Sequence, residues 1–282
     1  TANRQPEFGE AMVLIIAEIG VNHNGNMDTA YKLIDMAALC NADIVKFQLF
    51  DPARLDPAGD RRDMLKRVAL SQHQHALLNG FAATRNIEFL STPFDVDSLA
   101  FLVGLGVKRI KIASGNLDND ALLRAASNAG LPILLSTGIA TPRKIMGALE
   151  HIDREMWPLV TLMHCTSAYP CPDEDVNLRA MSALWDAPGY NFGFSDHSEG
   201  IMAALGAVAM GASVIEKHLT LDRHGIGPDH STSSEPHEFL DMVSMIRRLE
   251  RQLGDGVKRV MPSEAAAVAI ARERADWRKC AV

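Results

Sequence analysis

Short apolar segments alternate along the chain with longer segments of helical periodicity, and the alternation repeats eight times. Each apolar segment is a nearly continuous run rather than an alternating one, which is typical of strands buried on both faces of a parallel sheet. The predicted strands are Met12–Glu18, Asp43–Leu49, Ile87–Thr92, Val107–Ala113, Pro132–Thr137, Pro158–Cys165, Tyr190–Ser195 and Ser213–Leu219.

The intervals between these runs predict helices. Thr141 followed by Pro142 indicates a capped helix start, and Gly130 indicates the end of the helix before it. In the interval that begins at Asp28, the apolar residues recur every three or four positions on one helical face. They are Ala30, Leu33, Ile34, Ala37 and Ala38.

Eight strand–helix units in a chain of 282 residues are typical of a (β/α)8 TIM barrel, an α/β fold of about 250 residues. An open, doubly wound sheet is the alternative. It would use fewer strands, and no glycine-rich dinucleotide-binding motif follows the first predicted strand. We predict one barrel domain over residues 1–254 and a C-terminal helical tail over residues 255–282.

Composition and charge argue against several classes of protein. The formal net charge of −7 provides no basic field for nucleic acid or an anionic membrane. No apolar run reaches the roughly 20 residues that span a bilayer. We therefore expect neither a nucleic-acid partner nor a membrane partner. The four cysteines are sparse and irregularly spaced, which is typical of reduced thiols, so a cytoplasmic location is expected.

Polar side chains stand at or just after the end of every predicted strand. In a barrel these ends meet at the face that carries the active site. A single lysine or histidine there can serve packing alone. Polar groups at all eight ends would be costly to bury without a ligand, water or one another. Glu18, which ends the first apolar run, is therefore predicted to face a polar cavity at the barrel mouth.

Two subsets of these residues suggest specific chemistry. His197 and His218 close the seventh and eighth predicted strands. Because those strands are neighbours, the two imidazoles can share a divalent metal and leave coordination positions for a substrate. A second subset supplies ammonium charge and hydroxyl donors, which suits a phosphate group. It comprises Lys46, Lys111, Ser114, Ser167 and Ser195.

Motifs spread over the chain resemble those of a known family. They are "IIAEIGVNHNG", "DIVKFQLF", "FLSTPFD", "KIASGN", "LLSTG", "LMHCTSAYP", "FGFSDHS", "IEKHLTLD" and "GPDHSTSSEP". In this order they resemble the sialic acid synthase family, which includes synthases of N-acetylneuraminate, legionaminic acid, pseudaminic acid and spore-coat polysaccharide sugars. The resemblance covers about Met12 to Glu264.

The resemblance implies a TIM-barrel transferase of carbohydrate biosynthesis. Its substrates would be phosphoenolpyruvate and an N-acyl amino sugar in the open-chain aldehyde form, such as N-acetylmannosamine. Its products would be a nine-carbon 2-keto sugar acid and phosphate. The family uses a divalent metal, commonly Mn²⁺, with Mg²⁺ and Co²⁺ as alternatives, and its members form homodimers.

Roles for individual residues follow from the same resemblance. Glu18 matches the catalytic glutamate, and Lys46 and Thr92 match positions near the carboxylate and the reacting carbons of phosphoenolpyruvate. His197 and His218 match the metal ligands. Positions around the phosphate are Lys111, Ser114, Ser167 and Ser195, and positions that contact the sugar are Gln48, Asn116, Tyr169 and Asp229.

The sequence departs from the family in three places. Asn116 is an amide where many members carry an acidic residue, the segment after the second strand is short, and no antifreeze-like domain follows the barrel in this sequence. In the family that domain closes the partner's active site. We expect either a fragment or a short form with a more open pocket and a different sugar.

Two alternatives to the synthase remain open at the level of sequence. One is a non-catalytic barrel that binds a sugar or phosphate as a regulatory subunit, which the missing domain and Asn116 would suit. The other is an aldolase acting on another sugar acid through a Schiff base, for which Lys111 or Lys46 supplies an amine.

Overall fold

An eight-stranded parallel sheet forms the centre of the computed structural model, which describes residues 12–185 and 189–280. The strand order is β3-β2-β1-β8-β7-β6-β5-β4, and β4 lies beside β3, so the sheet closes into a barrel. The predicted (β/α)8 fold is confirmed. The strands are β1 Leu14–Gly20, β2 Ile44–Leu49, β3 Glu88–Pro93, β4 Ile110–Ile112, β5 Ile133–Ser136, β6 Val160–His164, β7 Asn191–Asp196 and β8 Val214–His218.

Helices alternate with these strands and cover the barrel. They are α1 Met27–Leu39, α2 Pro52–Leu55, α3 Arg62–Val68, α4 Gln72–Thr84, α5 Val96–Leu105, α6 Asp120–Asn128, α7 Pro142–Leu149, α8 Asp173–Val176, α9 Ala180–Trp185, α10 Met202–Ala209 and α11 Pro236–Leu253. One more helix, α12 Ala265–Cys280, follows them in the sequence. Short 3₁₀ helices occur at Ser114–Asn116, Arg154–Leu159, His230–Thr232 and Pro262–Glu264. Within the described ranges, no helix combines the length and apolar character that a membrane span requires.

The chain divides into two compact units. The barrel unit extends to Gln252, and the described residues from Leu253 onward, including α12, belong to the second unit. Within the barrel unit, the predicted helix signals hold. The Thr141 side chain caps α7 by accepting a hydrogen bond from Lys144 N, and Gly130 follows α6 with a φ of +69°.

All eight predicted strands begin one to three residues earlier than the strands of the structure. Pro158 lies in a 3₁₀ helix, and β6 begins only at Val160. Proline lacks the N–H that a ladder requires, so the strand starts after it. Residues from Val107 to Arg109 likewise precede β4, which is confined to Ile110–Ile112.

The inside of the barrel is layered by the alternation of side chains along each strand. The lowest layer, here called the apolar floor, is a cluster of buried hydrophobic residues: Ile16, Ile44, Leu90, Leu134, Met163 and Val214. Two positions further along, five of these strands carry buried polar residues in the same direction. These are Glu18, Lys46, Thr92, Ser136 and Glu216. The apolar floor therefore supports a polar layer directly beneath the mouth.

An ion pair bridges the seam between β3 and β4, the neighbouring strands that no described ladder joins. Arg109 Nε donates to Glu88 Oε1 at 2.7 Å, and Arg109 Nη2 donates to Glu88 Oε2 at 3.0 Å. Such a bidentate pair is directional as well as attractive. It joins the two strands at the end of the barrel opposite the mouth.

Candidate active site

Four buried side chains of alternating charge lie above the apolar floor, and we call them the charged layer: Glu18, Lys46, Glu216 and Lys111. Lys46 Nζ lies 2.6 Å from Glu18 Oε2 and 3.5 Å from Glu216 Oε2. Lys111 Nζ lies 3.4 Å from Glu216 Oε1 and donates to Ser136 Oγ at 2.7 Å. Each of these four side chains is at most 5% exposed. Two ammonium groups are thus held close together by a shared carboxylate.

The two carboxyl groups of the charged layer differ in pKa. Burial raises the pKa of Glu18 to about 7, although Lys46 opposes the shift. Burial also opposes ionisation of Glu216, but Lys111 and Lys46 together outweigh it and lower the pKa to about 2. Glu216 is therefore the fixed anion, and Glu18 is the carboxyl group that exchanges a proton near neutral pH.

The two lysines differ as well. Burial lowers the pKa of Lys111. For Lys46 burial acts in the same direction, yet Glu18 and Glu216 more than offset it and raise the pKa. Lys46 is thus held as a cation by two carboxylates, whereas Lys111 has one carboxylate partner within salt-bridge distance in the described structure.

Hydroxyl groups gather around Gly138, just after β5. A Cβ built on Gly138 would clash with Ser167 Oγ and lie 2.9 Å from Ser114 Oγ and 3.0 Å from Cys165 Sγ. The Gly138 amide donates to Ser114 Oγ at 2.9 Å. We call this group the Gly138 cradle. Its small hydroxyl groups converge where a side chain would otherwise stand, and such hydroxyl donors suit the oxygens of a phosphate group.

The two predicted metal ligands lie side by side at the mouth. The ring centroids of His197 and His218 are 5.7 Å apart, and burial lowers the pKa of both, so both rings are neutral. His197 Nδ1 bonds to the Thr166 carbonyl at 2.7 Å, which leaves the Nε2 lone pair available. His218 Nδ1 is buried without a hydrogen-bond partner in the described structure.

Neutral imidazoles at this separation, with one unpartnered nitrogen, fit a shared divalent metal. Among the described residues no group of three or more His, Cys, Asp or Glu side chains forms a metal cluster. A metal here would therefore take two protein ligands, and its remaining positions would be filled by substrate and water.

Residues near the histidines link them to the rest of the pocket. Ser195 Oγ donates to Glu216 Oε1 at 2.9 Å and lies 3.5 Å from His197 Nε2. The Tyr169 ring lies 4.2 Å from the His197 ring, centroid to centroid. Burial raises the pKa of the Tyr169 phenol, so the hydroxyl stays protonated. Lys46 Nζ donates to Thr92 Oγ1 at 3.1 Å, which places Thr92 beside the charged layer.

A second cradle forms around Gly20, whose φ is +53°. A Cβ on Gly20 would lie 2.8 Å from Asp229 Oδ2, 3.4 Å from Gln48 Nε2 and 3.4 Å from Glu18 Oε1. Gln48 Nε2 donates to Glu18 Oε1 at 3.1 Å, and Asp229 Oδ2 lies 3.8 Å from His218 Nδ1. This Gly20 cradle places polar side chains between the charged layer and the histidines.

Asn116 lies in the 3₁₀ turn after β4. Its side-chain Nδ2 is buried and makes no hydrogen bond in the described ranges. This amide nitrogen is therefore not hydrogen-bonded to the charged layer or to either cradle in the described residues. The other predicted site residues lie in or beside the charged layer, in the two cradles or beside the histidines. Asn116 joins them only as a neighbour of Ser114 in that turn.

Several polar residues near the strand ends serve the scaffold instead. Asn22 Nδ2 donates to Leu219 O at 2.9 Å and to Ser233 Oγ at 2.8 Å, which ties the loop after β8 to the loop after β1. His164 Nε2 bonds to the Val176 carbonyl at 2.9 Å, outside the barrel.

Glu216 was missing from the predicted site. The signal for it is its position two residues before His218 on one strand, which turns both side chains to the same side.

Comparison with known proteins gives a consistent result. The model of the NeuB family matches residues 33–258. N,N'-diacetyllegionaminic acid synthase of Campylobacter jejuni is 41% identical over 92% of this chain and 83% of that protein. The enzyme of the same name from Legionella pneumophila is 37% identical over 98% of this chain and 83% of that protein. The crystal structure of N-acetylneuraminic acid (sialic acid) synthetase from Leptospira borgpetersenii, in complex with citrate, has a TM-score of 0.86 and 36% identity, over 94% of this chain and 93% of that one.

Proposed function

Because this chain belongs to the NeuB family, we propose that it condenses phosphoenolpyruvate with an N-acyl amino sugar. The products are a 2-keto sugar acid of nine carbons and inorganic phosphate. The observation that carries this proposal is the charged layer, where two buried lysines share Glu216 beneath a mouth lined with hydroxyl groups. A pocket of this kind attracts a small substrate with several negative charges.

Phosphoenolpyruvate carries a carboxylate and a phosphate, and the pocket offers a place for each. We assign the phosphate to the Gly138 cradle with Lys111 and Ser195, and the carboxylate to Lys46 and Thr92. Both assignments pair each anion with an ammonium group and with hydroxyl donors. Neutralising the anion lowers the cost of placing it near Glu18 and Glu216.

The sugar is assigned to the Gly20 cradle and the two histidines. Gln48 and Asp229 supply hydrogen-bonding groups for its hydroxyls, and Tyr169 covers His197 from the solvent side. A divalent metal held by His197 and His218, Mn²⁺ first and Mg²⁺ or Co²⁺ as alternatives, would act as a Lewis acid on the sugar aldehyde. Asn116 is assigned to the edge of the sugar pocket by the family resemblance.

The bond changes balance with water as the one further reactant, which supplies the keto oxygen and the protons of the new hydroxyl group and of the phosphate. The methylene carbon of phosphoenolpyruvate bonds to the aldehyde carbon, and the aldehyde oxygen takes a proton to become a hydroxyl group. Positive charge then develops at the carbon that bears the phosphate, and water adds there. Glu18 stabilises that charge and takes the proton from the water, and phosphate leaves as the C–O bond breaks. A pKa of about 7 suits Glu18 to this exchange.

The test is a direct assay with Mn²⁺, phosphoenolpyruvate and a panel of mono- and diacetylated amino sugars. Phosphate release and the mass of the product are measured together. We expect release with at least one sugar and none after Lys111→Met. A full panel without phosphate release would overturn the proposal, and tight phosphoenolpyruvate binding in that case would favour the regulatory-subunit alternative.

A Schiff-base aldolase is the second candidate, and one observation favours it. Burial lowers the pKa of Lys111, and a neutral amine is the nucleophile that such an enzyme needs. Borohydride treatment in the presence of substrate separates the two functions. A covalent adduct on Lys111 supports the aldolase, whereas metal-dependent turnover without an adduct supports the synthase. Homodimerisation and a cytoplasmic location stay predictions from the sequence, and light scattering of the purified protein measures the first.

A further inference from the structure

A buried ion pair lies in the barrel wall directly beside the two histidines. Asp196 ends β7, Lys217 precedes His218 in β8, and Lys217 Nζ lies 2.8 Å from Asp196 Oδ2. The side chains of Lys217 and Asp196 are 1% and 0% exposed. Ser195 and Glu216 point into the barrel, so the alternation of the strands turns Asp196 and Lys217 to the outside of the wall. The pair therefore does not line the pocket.

This pair is the last link between β7 and β8 before the histidines. The β7–β8 register ends where Asp196 faces Lys217. Beyond that point His218 faces Glu18 of β1, and the His197 carbonyl accepts from Cys171 N at 2.8 Å. The sheet ladder thus fixes each histidine to a different neighbour and does not fix the two to each other.

The ion pair also holds the chain on the far side of His197. Asp196 Oδ1 accepts from Ser198 N at 2.9 Å and from Ser198 Oγ at 2.6 Å. Lys217 Nζ donates to the Ser198 carbonyl at 2.9 Å. Asp196 and Ser198, which flank His197, are therefore both hydrogen-bonded to Lys217, which precedes His218.

We propose that Asp196 and Lys217 are positioning residues that set the separation and orientation of His197 and His218. Burying two charges is costly, and an apolar pair would pack the wall at least as well. A charged pair adds direction, because its hydrogen bonds fix where both strands end. The proposal rests on the proposed metal-binding role of the histidines.

The double variant D196N/K217M tests this role. It removes both charges together, so neither is left buried alone, and the carboxamide introduced by D196N retains an acceptor for Ser198. Calorimetric titration of metal-free protein with Mn²⁺ gives the Kd, electron paramagnetic resonance of bound Mn²⁺ reports its coordination, and circular dichroism gives the Tm. We expect a folded protein whose Kd for Mn²⁺ is about 10–100-fold higher and whose resonance spectrum is changed.

The matched control is the double variant E88Q/R109M, which removes the ion pair at the opposite end of the barrel. A change in Tm with an unaltered Kd is expected there, so a general loss of stability is separated from a loss of positioning. A parental Kd in D196N/K217M would overturn the proposal. If that variant does not fold, Ser198→Ala takes its place, since it removes a hydroxyl that fixes Asp196. A raised Kd supports the proposal and a parental Kd overturns it.

The histidine variants distinguish this proposal from the proposed function. If His197→Ala abolishes Mn²⁺ binding while D196N/K217M binds normally, the ligand assignment holds and the positioning role is wrong. If His197→Ala and His218→Ala both bind Mn²⁺ as the parent does, the ligand assignment itself is wrong, and the positioning role falls with it.

Discussion

Glu18 Oε2 lies 2.6 Å from Lys46 Nζ in a part of the barrel where both side chains are almost completely buried. Lys46 is shared with Glu216, and Glu216 is shared in turn with Lys111. A proton gained or lost by Glu18 therefore changes the charge of the whole layer. The same contact controls the chemistry that we assign to the pocket and the response of the fold to pH.

Glu18→Gln is expected to reduce kcat by roughly 10²–10⁴-fold, the range for loss of a general acid–base group. The amide keeps the size of the side chain, so phosphoenolpyruvate should still bind to the lysines. Phosphate-release kinetics and calorimetry of phosphoenolpyruvate binding measure the two effects. Turnover close to that of the parent would contradict the role of Glu18.

The pH dependence of stability has a sign set by Glu18, whose pKa burial raises from 4.5 to about 7. A raised carboxyl pKa means that the stabilising contribution is complete below about pH 4.5 and is lost as the pH rises through 7. Relative to Glu18→Gln, the parent should lose about 3 kcal/mol of unfolding free energy across this window. Urea unfolding of both metal-free proteins at a series of pH values measures the difference. If the difference in unfolding free energy between the parent and Glu18→Gln does not change with pH, the pKa of Glu18 is not raised.

Glu216→Gln should destabilise the protein by about 3–5 kcal/mol, because it leaves two buried ammonium groups without their shared carboxylate. We further expect inorganic phosphate to raise the Tm of this variant more than that of the parent, since an anion can replace the lost charge. The exposed Glu199 provides the control, and Glu199→Gln should change stability by less than about 0.5 kcal/mol. If Glu216→Gln is as stable as the parent, Glu216 does not stabilise the two ammonium groups of the charged layer.

His197→Ala and His218→Ala are each expected to abolish Mn²⁺ binding and turnover while leaving the circular dichroism spectrum unchanged. With two protein ligands, loss of either one leaves a single ligand. His164→Gln is the matched control, because His164 bonds to Val176 outside the barrel. Its metal affinity should equal that of the parent, and unchanged turnover in both alanine variants would contradict the ligand assignment.

Gly138→Ala should raise the KM for phosphoenolpyruvate by about 10–100-fold with little loss of stability. The new Cβ displaces the hydroxyl groups of Ser167 and Ser114, and a hydrogen bond to a charged group contributes about 1.5–3 kcal/mol. Gly147→Ala is the control, since a Cβ there meets no atom within 4 Å. It lies in α7, so it should stabilise the helix by about 0.5–1 kcal/mol and leave the KM unchanged. An unaltered KM in Gly138→Ala would show that the phosphate group of the substrate does not bind in the Gly138 cradle.

The barrel could be predicted because the apolar runs and the helical intervals carry independent signals that agree. Glu18 and His218 could be placed near one another because each lies at the end of a predicted strand, and a barrel brings these strand ends together at one mouth. The role of Glu216 could not be predicted in the same way. It depends on contact with Lys46 and with Lys111 on β4, and that contact exists only once the barrel has closed.

The two glycine cradles were also missed, for a different reason. The strand pattern identifies which side chains point inward, but it says nothing about where a missing side chain leaves space. At Gly20 and Gly138 that space is what allows the surrounding groups to converge. Lys217 shows the opposite case, since it lies next to His218 in the sequence yet points to the other side of the wall.

In the part of the chain that the structure describes, the apolar floor closes the inner end of the pocket, so substrates enter through the barrel mouth. Two substrates that share this entrance have to bind one after the other. In the proposed assignment phosphoenolpyruvate occupies the lysines and the sugar lies above it, at Gly20 and the histidines. We therefore expect phosphoenolpyruvate to bind first, because a sugar that is already bound would block its access to the lysines. An excess of the second substrate should therefore slow the enzyme instead of saturating it.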